Sequence, residues 1–173
     1  MKNCGKFRRS ILKAWAAPGF TPLTDIRACK APVQPFCQRP PSVSFPPGAS
    51  RTRAAITAVL DAQSAAWNRG DIDGYMDGYA RLDSIVFVSG DSVTHGWQTV
   101  RNRYVKRYDS REKMGTLTFS DLEFRPIDNN TVAVVGRWHL KRTSDEPHGR
   151  FTLIFKRTRQ GWRIIHDHTS SAE

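Results

Sequence analysis

Beyond residue 115 the chain reads as four extended segments, 116–125, 131–143, 149–158 and 162–170, separated by the short polar stretches 126–130, 144–148 and 159–161. Strand-type runs joined by short polar turns pair with their sequence neighbours, so this region specifies an antiparallel meander. The residues before it follow a helical period. Ile56, Val59, Leu60, Gln63 and Trp67 recur at three- and four-residue steps, with Ser50 placed to cap the helix and Asn68-Arg69-Gly70 to stop it. Asp71 caps a second, shorter helix, from 72 to about 80, whose inward positions are Ile72, Tyr75, Met76 and Tyr79. The runs 85–88 and 93–96 flank Ser89-Gly90-Asp91-Ser92 as a hairpin. A third helix, about 97–109, stacks Trp97, Val100, Arg101, Tyr104, Val105 and Tyr108, leaving Arg103, Lys106 and Arg107 toward water. Helices grouped ahead of a run of strands define an α+β domain with helices on one face of a sheet, not an alternating β-α-β fold.

The first fifty residues belong to a different regime. They hold eight basic residues against the single acid Asp25, eight of the ten prolines, and all three cysteines, Cys4, Cys29 and Cys37. Prolines this dense forbid a long helix or a sheet ladder, so residues 1–50 are expected to be a disordered basic leader and 51–173 a single domain. The cysteine spacing offers no Cys-x-x-Cys pair, and an odd count closes no disulfide set, which leaves free thiols. A signal peptide needs an apolar core, but Ile11-Leu12 is cut by Lys13. A transit peptide, a tail and a mis-started extension remain open for the leader. No apolar run approaches a membrane span, and a cytoplasmic protein is the expectation. Lys and Arg total 27 against 16 acids, yet the excess concentrates in the leader, so specific nucleic-acid binding by the domain is not expected.

Alternation along the strands selects the candidate site residues. Segment 131–143 places Ala133, Val135, Arg137 and His139 on one face and Val132, Val134, Trp138 and Leu140 on the other. Segment 149–158 sets Phe151, Leu153 and Phe155 against Thr152, Ile154 and Lys156, and the last segment sets Ile165, Asp167 and Thr169 against Trp162, Ile164, His166 and His168. A sheet apolar on both sides needs two covers, its own helices and a second copy of the chain, which predicts a homodimer. Arg137 and Asp167 interrupt apolar strands and are expected on the face under the helices, as a structural salt bridge, as residues exposed at a sheet edge, or as ligand contacts. His166 and His168 could point together toward a metal, but no third ligand is placed, so neither metal nor cofactor is expected. Tyr104 and Tyr108 sit one helical turn apart, as core aromatics or as hydroxyls lining a pocket.

Three stretches together resemble the SnoaL-like branch of the nuclear transport factor 2-like superfamily. They are Trp67-Asn68-Arg69-Gly70-Asp71-Ile72-Asp73, Phe87-Val88-Ser89-Gly90 leading into Gly96-Trp97, and the closing run Gly161-Trp162-Arg163-Ile164-Ile165-His166-Asp167-His168-Thr169-Ser170. The ending is also similar to the association domain of calcium/calmodulin-dependent protein kinase II. The resemblance covers about 51–173 and none of the leader. It implies a cone-shaped, cystatin-like roll, in which a curved antiparallel sheet wraps a helix around a deep pocket and the sheet serves dimerisation. It also implies a pocket wall of Trp67, Tyr79, Phe87, Trp97, Tyr104, Tyr108, Phe151, Leu153 and Asp167. Arg137 falls where the kinase domain carries a pocket arginine, whereas Leu153 and Thr169 replace further arginines. His139, on the strand of Arg137, joins the candidate ligand contacts.

That superfamily spans ketosteroid isomerases, polyketide cyclases, dehydratases and subunits that only assemble, so the fold leaves the function to the site. The leading expectation is a homodimer binding a small apolar molecule with one anionic or carbonyl group, its polar end on Arg137. The alternatives are proton-transfer catalysis, with Asp167 as base and Tyr104 or Tyr108 as oxyanion donor, and a purely associative module. For the base, the neighbouring Arg137 is expected to pull the Asp167 pKa down.

Overall fold

One amphipathic period builds the first helix, α1 (Ala49–Asn68), whose Ile56, Leu60, Gln63 and Trp67 are all buried on a single stripe. The computed structural model describes residues 48–172, so the expectations for the leader and its three cysteines lie outside the described residues. The helix is preceded by Gly48 as its N-cap, and Ser50 lies inside the first turn instead of capping it. At the other end the Arg111 guanidinium donates to the carbonyls of Trp67 and Asn68, supplying partners that a helix C-terminus lacks. Asn68 acts as a substitute strand residue: its Oδ1 accepts from Leu117 N at 2.7 Å and its Nδ2 donates to Leu117 O at 3.1 Å.

Asp71 caps α2 (Ile72–Met76) as expected, its carboxylate accepting from Gly74 N at 2.7 Å. The helix stops four residues short of the expected end because a tertiary pairing takes over. Gly78 O accepts from Ile164 N, and Ala80 N donates to Ile164 O, which ties this segment to the last strand. Gly78 also lies flat against Gln63; a Cβ there would stand 2.3 Å from Gln63 Cδ, so only glycine admits that contact.

The hairpin β1 (Val86–Ser89) and β2 (Ser92–His95) leads into α3 (Trp97–Arg107), the single turn α4 (Arg111–Met114) and the meander β3 (Thr116–Asp128), β4 (Thr131–Lys141), β5 (His148–Thr158) and β6 (Gly161–Thr169). These strands form one six-stranded sheet in the order β2-β1-β6-β5-β4-β3. All pairings are antiparallel except β1 with β6, which is parallel, so the wholly antiparallel sheet of the expectation is corrected at that joint. The α+β architecture holds, with the core between the helices and one face of the sheet, where Ile56, Leu60, Met76, Val134, Phe155 and Ile164 are fully buried.

A bulge in β6 decides which side chains reach that core. Ile154 pairs with His166 but Phe155 pairs with Ile164, so Ile165 is an extra residue. The bulge resets the alternation: Trp162, Ile164 and Asp167 are all buried on the inner side. The expected grouping of Ile165 with Asp167, against Trp162 and Ile164, is therefore corrected. His166 and His168 pair in register with Val86 and Val88 and with Ile154 and Thr152, on the outer face.

Candidate functional site

The inner face does not close completely. Between α1, α2, α3 and the sheet lies a cavity of about 110 Å³, many times the roughly 10–15 Å³ that one water requires. Nine aromatic side chains line it. Trp67 is the hub, with the rings of Tyr75, Tyr104 and Tyr108 edge-on at centroid distances of 5.1, 6.0 and 4.6 Å. The indole is fixed by Nε1 donating to Met114 O at 3.0 Å. Phe87 meets Tyr104 edge-on at 5.7 Å, while Phe119, Trp138, Phe151 and Leu153 supply the sheet side. The helical period places Trp67 and Tyr104 here, and the strand period places Phe151 and Leu153.

Among the described residues Asp167 is the one carboxylate in this wall. It is buried and held from both sides: Tyr79 Oη donates to Oδ2 at 2.6 Å and Thr169 Oγ1 donates to Oδ1 at 2.7 Å. Loss of hydration raises its pKa above the ordinary 3.8, against the opposing pull of the two hydroxyls and of the His166 and His168 imidazoles behind the sheet. Burial also pushes the Tyr79 and Tyr104 phenols well above their ordinary range, so both remain protonated donors at neutral pH. Tyr75 and Tyr104 hydroxyls lie 3.5 Å apart, which puts a second polar pair on the same wall.

Eight of the eleven expected site residues, Trp67, Tyr79, Phe87, Tyr104, Tyr108, Phe151, Leu153 and Asp167, are brought together in this wall. Three are not. Arg137 pairs in register with Arg150 and Ser120 on the outer face, so it shares no face with Asp167 and cannot hold a molecule in the cavity. The expected lowering of the Asp167 pKa by Arg137 is corrected with it, since burial sets the direction. His139 is on that outer face too, its Nε2 lying 3.2 Å from a Glu146 carboxylate oxygen. Trp97 packs at the start of α3, donating Nε1 to Met76 O under the Arg81 guanidinium, outside the cavity. Among the described residues no three His, Cys, Asp or Glu side chains gather at metal-ligand spacing.

Two cations missed by the strand argument border the cavity instead. Arg103 and Arg107, one helical turn apart on α3, line it although the helical period turned both toward water. Arg103 places its guanidinium 5.1 Å from the centre of the Phe87 ring and donates Nη1 to Thr94 Oγ1 at 3.0 Å. Arg107 is exposed, its guanidinium 5.8 Å from the centre of the Tyr108 ring.

Helices covering one face of a six-stranded sheet, with an aromatic-lined cavity and a buried acid between the layers, define a small α+β fold of the cystatin-like type. The chain belongs to the SnoaL-like domain family, whose sequence profile matches residues 56–172. It is similar to a nuclear transport factor 2-like protein of unknown function from Shewanella oneidensis, at 38% identity over 68% of this chain and 98% of that one, with a TM-score of 0.66. The fold is shared with a cystatin-like protein of unknown function from Nostoc punctiforme, at 9% identity, 69% and 90% coverage and a TM-score of 0.57. A ketosteroid isomerase-like protein from Erwinia carotovora atroseptica shares it at 16% identity, 69% and 95% coverage and a TM-score of 0.56. No curated protein matches the chain.

Proposed function

We propose that this protein binds a small, mainly apolar molecule carrying one polar group in the cavity around Trp67, and that it works as a homodimer. The observation that carries this reading is the combination in one void of an aromatic wall with the buried, hydroxyl-held Asp167. Large rings supply apolar contact area, and the few polar atoms among them fix a ligand's orientation. The homodimer is supported by the outer face, where Val86, Val88, Val135 and Ile154 are only half covered by the chain itself. No helix among the described residues is long and apolar enough to cross a membrane.

One observation favours a second reading, proton transfer on the bound molecule. A carboxylate whose proton affinity rises on burial is a better base than one in water, and protonated tyrosines nearby can donate to a developing oxyanion. In that reading Asp167 is the base and Tyr104 or Tyr108 the donor. Native mass spectrometry of the full chain tests the first reading. It is expected to show a dimer that releases a small compound on denaturation, whereas a ligand-free monomer would contradict both halves of it.

A further inference from the structure

The charged groups of the cavity wall differ in exposure. Asp167 is 3% exposed and both of its oxygens accept hydrogen bonds from side chains. Arg107 is exposed and Arg103 half-buried, so the cations stand where the wall meets solvent, while the acid is buried within it. Ser89 and Ser171 add two hydroxyl-bearing side chains to the wall.

The arginines are also positioned and available. Of the five N–H donors of a guanidinium, Arg103 commits one to Thr94 Oγ1, and the Phe87 face beneath it limits where the others can point. Among the described residues Arg103 and Arg107, like several other arginines, have no carboxylate partner, and these two line the cavity. Two guanidiniums a helical turn apart beside an apolar void suit a planar anion, which arginine binds through paired hydrogen bonds. An anion placed at the buried end would instead meet the Asp167 carboxyl, whose oxygens already accept from Tyr79 and Thr169, with no cation of the wall beside it.

From these features, and resting on the reading that the cavity takes a small molecule, we propose that its ligand is an apolar carboxylate. Its ring or hydrocarbon body enters toward Asp167, and its carboxylate stays at the opening between Arg103 and Arg107. The two arginines are then the specificity determinants of the site, and a neutral carbonyl compound of the same shape is discriminated against. A charge-assisted hydrogen bond contributes about 1.5–3 kcal/mol, so the discrimination is at least about tenfold in affinity.

Isothermal titration of the full chain with 2-naphthoate and with its neutral relative 2-acetonaphthone tests this. The expected result is naphthoate binding at least about tenfold tighter, with the difference shrinking as salt is raised. Arg107→Gln, at an exposed position, should lower naphthoate affinity several-fold and leave acetonaphthone affinity unchanged, and adding Arg103→Gln should abolish the preference. Arg150→Gln, an equal change of net charge on the outer face, should leave the preference intact. Equal affinities for the two probes, or a preference that survives the double variant, would overturn the proposal while leaving the cavity as a binding site. Failure of both probes to bind would overturn the proposal together with the reading it rests on.

Discussion

Trp67→Ala is expected to lower stability by about 3–5 kcal/mol, the range for truncating a fully packed large aromatic. Trp67 is 2% exposed, its ring meets three tyrosines, and its Nε1 satisfies Met114 O. Removing the indole therefore opens a space that joins the existing cavity and strips the donor from a carbonyl. Arg111 and Asn68 still tie the end of α1 to α4 and β3, so the backbone there cannot collapse freely into the gap. Urea denaturation reads the loss directly as a lower midpoint at unchanged slope. A cost under about 1 kcal/mol would mean that the tyrosine cluster stands without its hub.

The second large effect concerns pH. In the folded chain Asp167 holds its proton more tightly than the unfolded chain does, because burial penalises the charged form. The sign follows from proton counting: the native state binds more protons, so this group makes stability fall as pH rises. The fall begins near the ordinary value of 3.8 and is complete once pH passes the raised value of the folded state. Each unit of elevation corresponds to about 1.4 kcal/mol. Asp167→Asn removes the ionisation while its amide oxygen still accepts from Tyr79, and the Thr169 hydroxyl can rotate to accept from the amide N–H. The variant is therefore expected to equal or exceed the wild type in stability at pH 7 and to lose the downward slope above pH 4. Urea denaturation at several pH values checks both, and a wild type that gains stability from Asp167 as pH rises would reverse the sign.

Much of this architecture was legible from local pattern. The stripe of Ile56, Leu60, Gln63 and Trp67, the Asp71 cap and the strand alternation of Phe151, Leu153 and Phe155 all report which side faces the core. What stayed hidden depends on long-range pairing or on a void. The parallel joint of β1 with β6 connects segments some eighty residues apart, and no local periodicity encodes it. The extra residue at Ile165 shifts the phase of β6 by one, which separates Asp167 from the face of Arg137 and sends His166 and His168 outward. The α2 helix ends early because Gly78 and Ala80 bond to Ile164, an interaction that outranks helical propensity. Arg103 and Arg107 read as solvent-facing for a different reason: amphipathic periodicity distinguishes core from water but cannot register a cavity that opens beside the core face.

The central claim is that the void around Trp67 is where a small molecule binds. Its most direct test is to close the opening and leave the rest of the wall alone. Ser89 borders the cavity at the end of β1, half-buried and outside the tyrosine cluster, so Ser89→Trp puts a bulky ring across the entrance. Titration of 2-naphthoate by calorimetry should give saturable one-to-one binding in the wild type and none in the plugged variant, with circular dichroism unchanged. Equal binding to both proteins would place the binding site elsewhere and contradict the account.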